Sequence, residues 1–190
     1  MAKKETTAQV KKNKKWVPIL ASKEFSNYQI GETYVEDPTK SVGTTVEVNL
    51  MFLTNDSKKQ SNNVKFKIVE YKENNLFTEF ISYELQKAQF KRLSRPGKEK
   101  VEDSFSYVTK DNKNVRIKPI LITRSKAVNS KLTSIRITTR QLLADIIKKM
   151  NYTDLVRDLI SGNLQKEIRN RVNKAVPVGS CIIKGFVKLN

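Results

Sequence analysis

VKFKIVEYKENNLFTEFI, residues 64–81, is the stretch that decides the fold class. Val64, Phe66 and Ile68 alternate with Lys65, Lys67 and Val69, the two-residue period of a strand with one buried face. Glu73-Asn74-Asn75 has turn chemistry, and Leu76 to Ile81 resumes an extended apolar run through Phe77, Thr78, Phe80 and Ile81. Two strands joined by so short a turn must run antiparallel, because a parallel return needs a long crossover.

Working upstream, Thr44 to Leu53 alternates through Val46, Val48 and Leu50 and thickens at Met51, Phe52 and Leu53, which predicts a strand along its whole length. Thr54 to Gln60 is polar and turn-like. Ile30-Gly31-Glu32-Thr33 and Asp37-Pro38 read as a loop-rich connection. Trp16-Val17-Pro18-Ile19-Leu20 is extended, since Pro18 disfavours helix at Val17. Trp16 reads as a packing residue, with stacking on a base as the alternative.

Downstream, Ser82 is expected to cap a helix reaching about Ser94, with Tyr83, Phe90 and Leu93 on one side. Lys87, Lys91 and Arg95 recur every four residues on another side, flanked by Arg92. Arg95-Pro96-Gly97 ends that helix. Val101 to Thr109 and Val115 to Ile122 are two further strands around an Asp111-Asn112-Lys113-Asn114 hairpin turn. The period then changes. Leu132, Ile135, Thr139, Leu142, Leu143, Ile146, Ile147 and Met150 form a helical stripe bordered by Arg136 and Arg140. Thr153 is expected to cap a short helix stopped by Gly162. Asn163 is expected to cap the next, which buries Leu164, Ile168, Val172 and Ala175. Ile182 to Leu189 reads as a last strand.

Strands, then helices, then one strand make an α+β fold. The expected architecture is an antiparallel-rich β-barrel-like core with peripheral helices and a basic N-terminal arm. Residues 1–15 form a disordered arm carrying Lys3, Lys4, Lys11, Lys12, Lys14 and Lys15 against one Glu5. Residues 16–190 form a single domain: strand-rich to about 122, helical over about 131–175, with the final strand at about 181–189.

Charge bounds the function. The chain has 37 Lys plus Arg against 19 Asp plus Glu, a net charge of +18. Such an excess calls for a polyanionic partner, nucleic acid first, then an anionic membrane or an acidic protein. With no histidine, one cysteine and six glycines, neither a histidine-based nucleophile system nor an ordinary zinc site can be built, and no phosphate-binding glycine loop occurs. Glu102-Asp103 reads as solvated charge and Cys181 as a small core residue. No enzyme, cofactor or small-molecule substrate is expected. Met1 to Lys15 lacks an apolar core and no run approaches 18 apolar residues, so neither a signal peptide nor a membrane helix is expected, and the location is cytoplasmic.

What remains is organised positive charge. The Lys87, Lys91, Arg95 stripe suits a helix laid on a phosphate backbone. Arg116-Ile117-Lys118 sets two cations on one face of a strand, and Arg124 and Lys126 continue past its end. Scattered clusters suit irregular RNA better than a duplex groove. A DNA-compacting, chromatin-like module is the alternative. A metal-dependent nuclease using Asp37, Asp56 or Asp111 is a remoter one.

Several pieces, in order, resemble a known family. They are Trp16 with its extended segment, Ile30-Gly31-Glu32-Thr33, Asp37-Pro38, Gly43 with Val46 to Leu50, Leu53-Thr54 and Ser57-Lys58-Lys59-Gln60. Thr78-Glu79-Phe80-Ile81, Tyr83-Glu84-Leu85, Thr109-Lys110-Asp111, Arg116-Ile117-Lys118-Pro119, Ile135-Arg136 and Arg140 follow. The set resembles the archaeal and eukaryotic small-subunit ribosomal protein family called S-three-A-e, or eukaryotic-type S-one. That resemblance implies a β-barrel-like core with peripheral helices. It also implies a place on the small-subunit platform near the mRNA exit, bound to small-subunit rRNA and beside other platform ribosomal proteins. Lys110, Arg116 and Lys118 are the residues it carries over most directly. Val176-Pro177-Val178-Gly179-Ser180 departs from the family's Tyr-Pro-Leu segment with following basic residues, and Gly185 stands where a second basic cluster would. No cation from that end is carried over. The short C-terminus points to an archaeal-type or reduced member.

Overall fold

The computed structural model describes residues 14–93, 96–174 and 176–189. The expected arm therefore lies outside the described residues except at Lys14 and Lys15, and Arg95 and Ala175 lie outside them as well. Lys15 belongs to the fold, as the first residue of strand β1 (Lys15–Leu20).

β1 pairs antiparallel with β2 (Gln29–Val35). The expected loop at Ile30–Thr33 is thus a strand, built on cross-strand partners rather than on a strong apolar alternation. β3 (Thr45–Asn49) is shorter than expected. The Asn49 side chain accepts the N–H of Met51 at 2.9 Å and caps a single-turn helix α1 (Leu50–Thr54), which buries Leu50. The hairpin β4 (Asn62–Lys72) and β5 (Asn75–Leu85) is as expected. Its turn residues Glu73 and Asn74 hold φ of 50° and 62°, the left-handed pair of a tight hairpin turn.

β5 does not stop at Ile81. It bulges opposite Lys65/Phe66 and continues, burying Tyr83 and Leu85. Ser82 is therefore a buried strand residue and not a cap, Tyr83 belongs to the sheet, and helix α2 is the shorter Lys87–Leu93. The strand expected over Val101–Thr109 is split into β6 (Lys100–Glu102) and β7 (Phe105–Val108). Both pair with β8 (Asn114–Thr123) on either side of a bulge between Lys118 and Pro119. Pro119 has no N–H to give to the ladder, so an irregularity at this point is what its chemistry requires.

Helix α3 (Asn129–Lys149) buries Ile135, Thr139, Leu143 and Ile147 along one stripe. α4 (Tyr152–Ser161) follows Asn151 and takes no side-chain cap from Thr153. Its first N–H, that of Tyr152, donates to Asp111 Oδ2 at 3.0 Å. Gly162, at φ 84°, ends α4 and at the same time precedes α5 (Asn163–Asn173), so Asn163 is the first helical residue and not the cap. β9 (Val178–Lys188) closes the chain's order of elements.

The strands make one sheet, antiparallel except where β1 meets β5 at Leu76 and Phe77. One edge of β5 carries β4; the other carries β1 at its start and β9 at Ser82–Glu84. Among the described residues the sheet is open, with no pairing that closes it into a barrel. α3, α4 and α5 bury their apolar stripes with Val64, Phe66, Phe80, Ile117, Ile183 and Phe186 in one core. Tyr152 sits at its centre, its hydroxyl donating to Phe80 O at 3.1 Å. Val17, Ile19, Ile68 and Leu76 form a second, smaller core. Cys181 is buried, as expected, and burial pushes its thiol up to about 12. The opposite face of the sheet carries Lys65, Glu84, Arg116 and Lys118 beside the half-buried Val187 and the buried Ser82.

Candidate nucleic-acid interface

Register builds that polar face. Across the strands, Ser106 stands beside Arg116, Arg116 beside Val187, Val187 beside Ser82, and Ser82 beside Lys65. One row along, Lys118 stands beside Gly185 and Gly185 beside Glu84. Strand period then places Arg116 and Lys118 on one face, with Ile117 buried on the other.

α2 borders this face. Gln86 precedes it and is pinned by three bonds: its N–H to Ser61 O at 2.8 Å, and its amide to Asn63 Oδ1 at 3.2 Å and Gln60 O at 3.3 Å. Between α2 and the sheet lies a cleft of about 230 Å³ lined by Glu84, Lys87, Lys118, Lys184, Gly185 and neighbours. Gly185 forms part of its floor. A Cβ there would lie 3.7 Å from Lys118 Cδ and 3.8 Å from Tyr83 O, so any side chain would project into the cleft.

Two lysines at the rim were not among the sequence candidates. Lys184 and Lys100 point their ammonium groups at the Phe90 ring of α2, 4.8 Å and 4.4 Å from its centroid. Both also meet Glu102: Lys184 is hydrogen-bonded to it, and Lys100 lies 3.2 Å away. The Lys184 bond, helped by Lys100, holds the Glu102 carboxyl below its usual range against the opposing effect of burial. The acid at the cleft, Glu84, is taken by Lys65 at 3.4 Å. Among the described residues Lys87 and Lys118 enter no ion pair, so their charge is uncompensated.

The structure thus brings together one member of each of two clusters that are separate in sequence, Lys87 of α2 and Lys118 of β8. Lys91 and Arg92 are exposed on α2. Arg116 is exposed one row along, its Nε 3.4 Å from Ser106 Oγ. The other candidates lie elsewhere. Arg136 is paired with Asp103 at 3.7 Å. Arg140 is exposed on α3, its carbonyl accepting the Tyr107 hydroxyl at 2.8 Å. Lys110 is exposed in the β7–β8 turn, its N–H donating to Met150 O at 3.2 Å. Arg124 and Lys126 are exposed between β8 and α3. Lys14 and Lys15 are exposed at the start of β1. Lys3, Lys4, Lys11, Lys12 and Arg95 fall outside the described residues.

The three carboxylates of the nuclease alternative have structural work to do. Asp111 accepts from Tyr152 N, Asp56 from Lys58 N at 3.0 Å, and Asp37 pairs with Lys40 at 3.3 Å. They sit in separate turns. No described helix is long and apolar enough to cross a membrane.

Comparison with known proteins gives one consistent answer. The model of the Ribosomal S3Ae family matches residues 2–189. The small ribosomal subunit protein eS1 of Archaeoglobus fulgidus is 31% identical over 183 residues, covering 94% of this chain and 87% of the relative. The eS1 protein of Haloarcula marismortui is 31% identical over 171 residues, 90% of this chain and 80% of its own. That of Nanoarchaeum equitans is 29% identical over 166 residues, 87% and 84%.

Proposed function

This chain belongs to the Ribosomal S3Ae family, and from that premise we propose that it is a structural constituent of the small ribosomal subunit that binds small-subunit rRNA. The observation that carries the rRNA contact is the α2–sheet cleft, lined by the exposed Lys87 and the half-buried Lys118, neither in an ion pair among the described residues. The mechanism is charge neutralisation with shape matching: exposed lysines displace counterions from phosphates while the packed sheet and helices fix where those lysines stand. The protein has no catalytic role in this reading. It works in the cytoplasm, on the ribosome. Its seat is the platform near the mRNA exit, beside other platform proteins, as the family resemblance implies.

The test is binding of protein-free small-subunit rRNA across a salt series, with duplex DNA of equal mass as competitor. Log affinity should fall with log salt by about 0.7–0.9 per phosphate neutralised. Lys87→Glu and Lys118→Glu should each lower that slope by about 1 while leaving the melting temperature nearly unchanged. A salt-insensitive affinity would sink the mechanism. Equal affinity for duplex DNA would turn the reading towards a chromatin-like module.

A further inference from the structure

β1 and β2 carry a cross-strand aromatic pair that adds to their pairing yet leaves both rings open to solvent. Trp16 and Tyr34 stand directly opposite in the antiparallel register. Their ring centroids are 4.9 Å apart with the planes tilted by 36°. They remain 62% and 52% exposed. This corrects the expectation that Trp16 packs into a core. Val17 and Ile19 anchor the strand from its other face, with Ile68 and Leu76. Two large rings side by side on one strand pair, held open in water, offer an apolar surface to a partner.

We infer that Trp16 and Tyr34 form a stacking platform for an unpaired base of the RNA, an assignment that rests on the rRNA-binding reading above. Lys14 supplies the companion charge. Its ammonium lies 5.9 Å from the Tyr34 centroid, and it has no ion pair among the described residues. A hollow of about 310 Å³ beside Tyr34 is lined by Lys14, Lys40, Glu36 and Asp37. Asp37 pairs with Lys40, and Glu32, further along the same face, is held by Gln29 at 3.1 Å. Glu36 is the one acid at the rim with no such partner among the described residues, and Lys14 lines the same hollow. A flat aromatic face bordered by backbone-seeking cations is how proteins hold single-stranded nucleic acid, since every base offers a π-face. The patch is only two rings wide and is bounded by Lys14, Pro18, Glu32 and Glu36. A stable protein interface needs about 800 Å² per partner with an apolar centre, which this patch does not offer.

Trp16 is the chain's only tryptophan, so its emission reports on this site alone. The full chain is titrated with protein-free small-subunit rRNA from its own organism, and separately with heparin, a polyanion without bases. Affinity is measured in parallel by filter retention. The rRNA should quench the emission and heparin should leave it unchanged. Trp16→Leu should weaken rRNA binding roughly 5- to 100-fold and heparin binding hardly at all, whereas Trp16→Phe keeps most of the affinity. Retention of rRNA at full affinity by Trp16→Leu, or quenching by heparin equal to that by rRNA, would overturn the platform and leave the cleft reading standing. An emission change seen only on adding small-subunit proteins would also overturn it, assigning the pair to a protein neighbour. Loss of all rRNA retention by the unaltered chain would remove both proposals together.

Discussion

At the residue scale, Glu102 shows how the cleft balances stability against free charge. Its carboxylate holds Lys184 and Lys100 over Phe90, and the Lys184 bond lowers its pKa from the ordinary 4.5. A carboxyl whose pKa is lower folded than unfolded stabilises the fold at pH above the unfolded value. That contribution is lost as the pH falls through the folded one. Glu102→Gln should therefore lower unfolding free energy by about 0.2–1 kcal/mol at pH 7, as for other partly exposed pairs. The deficit should hold down to about pH 4.5 and shrink below it. Urea midpoints of both proteins at pH 7, 5 and 3 check this, and a deficit that grew on acidification would contradict it. The same substitution frees two lysines, so rRNA affinity at low salt should rise while stability falls. A paired lysine in an apolar strand gives no sign in sequence that it borders a cleft. In the sequence Lys184 is set aside because Gly185 stands where the family resemblance implies a second basic cluster, and Lys100 goes unmarked because the strand holding it is three residues long.

At the element scale, one residue serves two helices. Gly162 at φ 84° is the left-handed end of α4 and the start of α5. Beyond it, Leu164, Ile168 and Val172 enter the same core as Leu155 and Leu159. Gly162→Ala has room, since the nearest atom to an added Cβ is the Gln165 Oε1 at 3.9 Å. The cost is conformational alone, about 1–2 kcal/mol for a side chain in that region. Thermal unfolding should show a drop of a few degrees with unchanged helix content in the far ultraviolet. Gly162 was legible because glycine after a periodic run is a strong stop signal. The same holds for the β4–β5 turn and for the long stripe of α3. The misread elements share a cause. Asn49 caps α1 inside an alternating run, and β5 outlasts its apparent end because a bulge lets both Phe80 and Tyr83 face the core. β2 is held by its register with β1, the strand before it, rather than by an alternation of its own. Local pattern carries none of these, because each depends on a hydrogen bond or register set by another segment. The site follows the same rule: each basic cluster was visible, but their meeting across α2 and β8 depends on β5, β8 and β9 sharing a register.

At the scale of the whole molecule, the question is how the basic N-terminal segment divides between folding and binding. β1 starts at Lys15, and Val17 and Ile19 build the second core, so the chain from Lys15 onward is part of the fold. Residues 1–13 hold Lys3, Lys4, Lys11 and Lys12 against Glu5 and carry no long apolar side chain beyond Met1 and Val10. Deleting 1–13 should leave the melting temperature within about a degree, because the segment is mostly charged and polar, with Met1 and Val10 its only long apolar side chains. Deleting 1–19 takes away β1 and with it the partner of β2 and part of the second core, and should cost several kcal/mol. On rRNA the order of effects is different. The 1–13 deletion should already flatten the log–log salt slope by up to about 0.9 for each of the four lysines that meets a phosphate. It should leave the Trp16 platform and the Lys87–Lys118 cleft in place. Residual binding should therefore still quench Trp16, and Lys118→Glu should still weaken it. If the 1–13 deletion unfolds the protein, the segment is part of the core and not an arm. If it binds rRNA with an unchanged salt slope, its lysines meet no phosphate, and the charge that holds this protein on RNA lies wholly on the folded face.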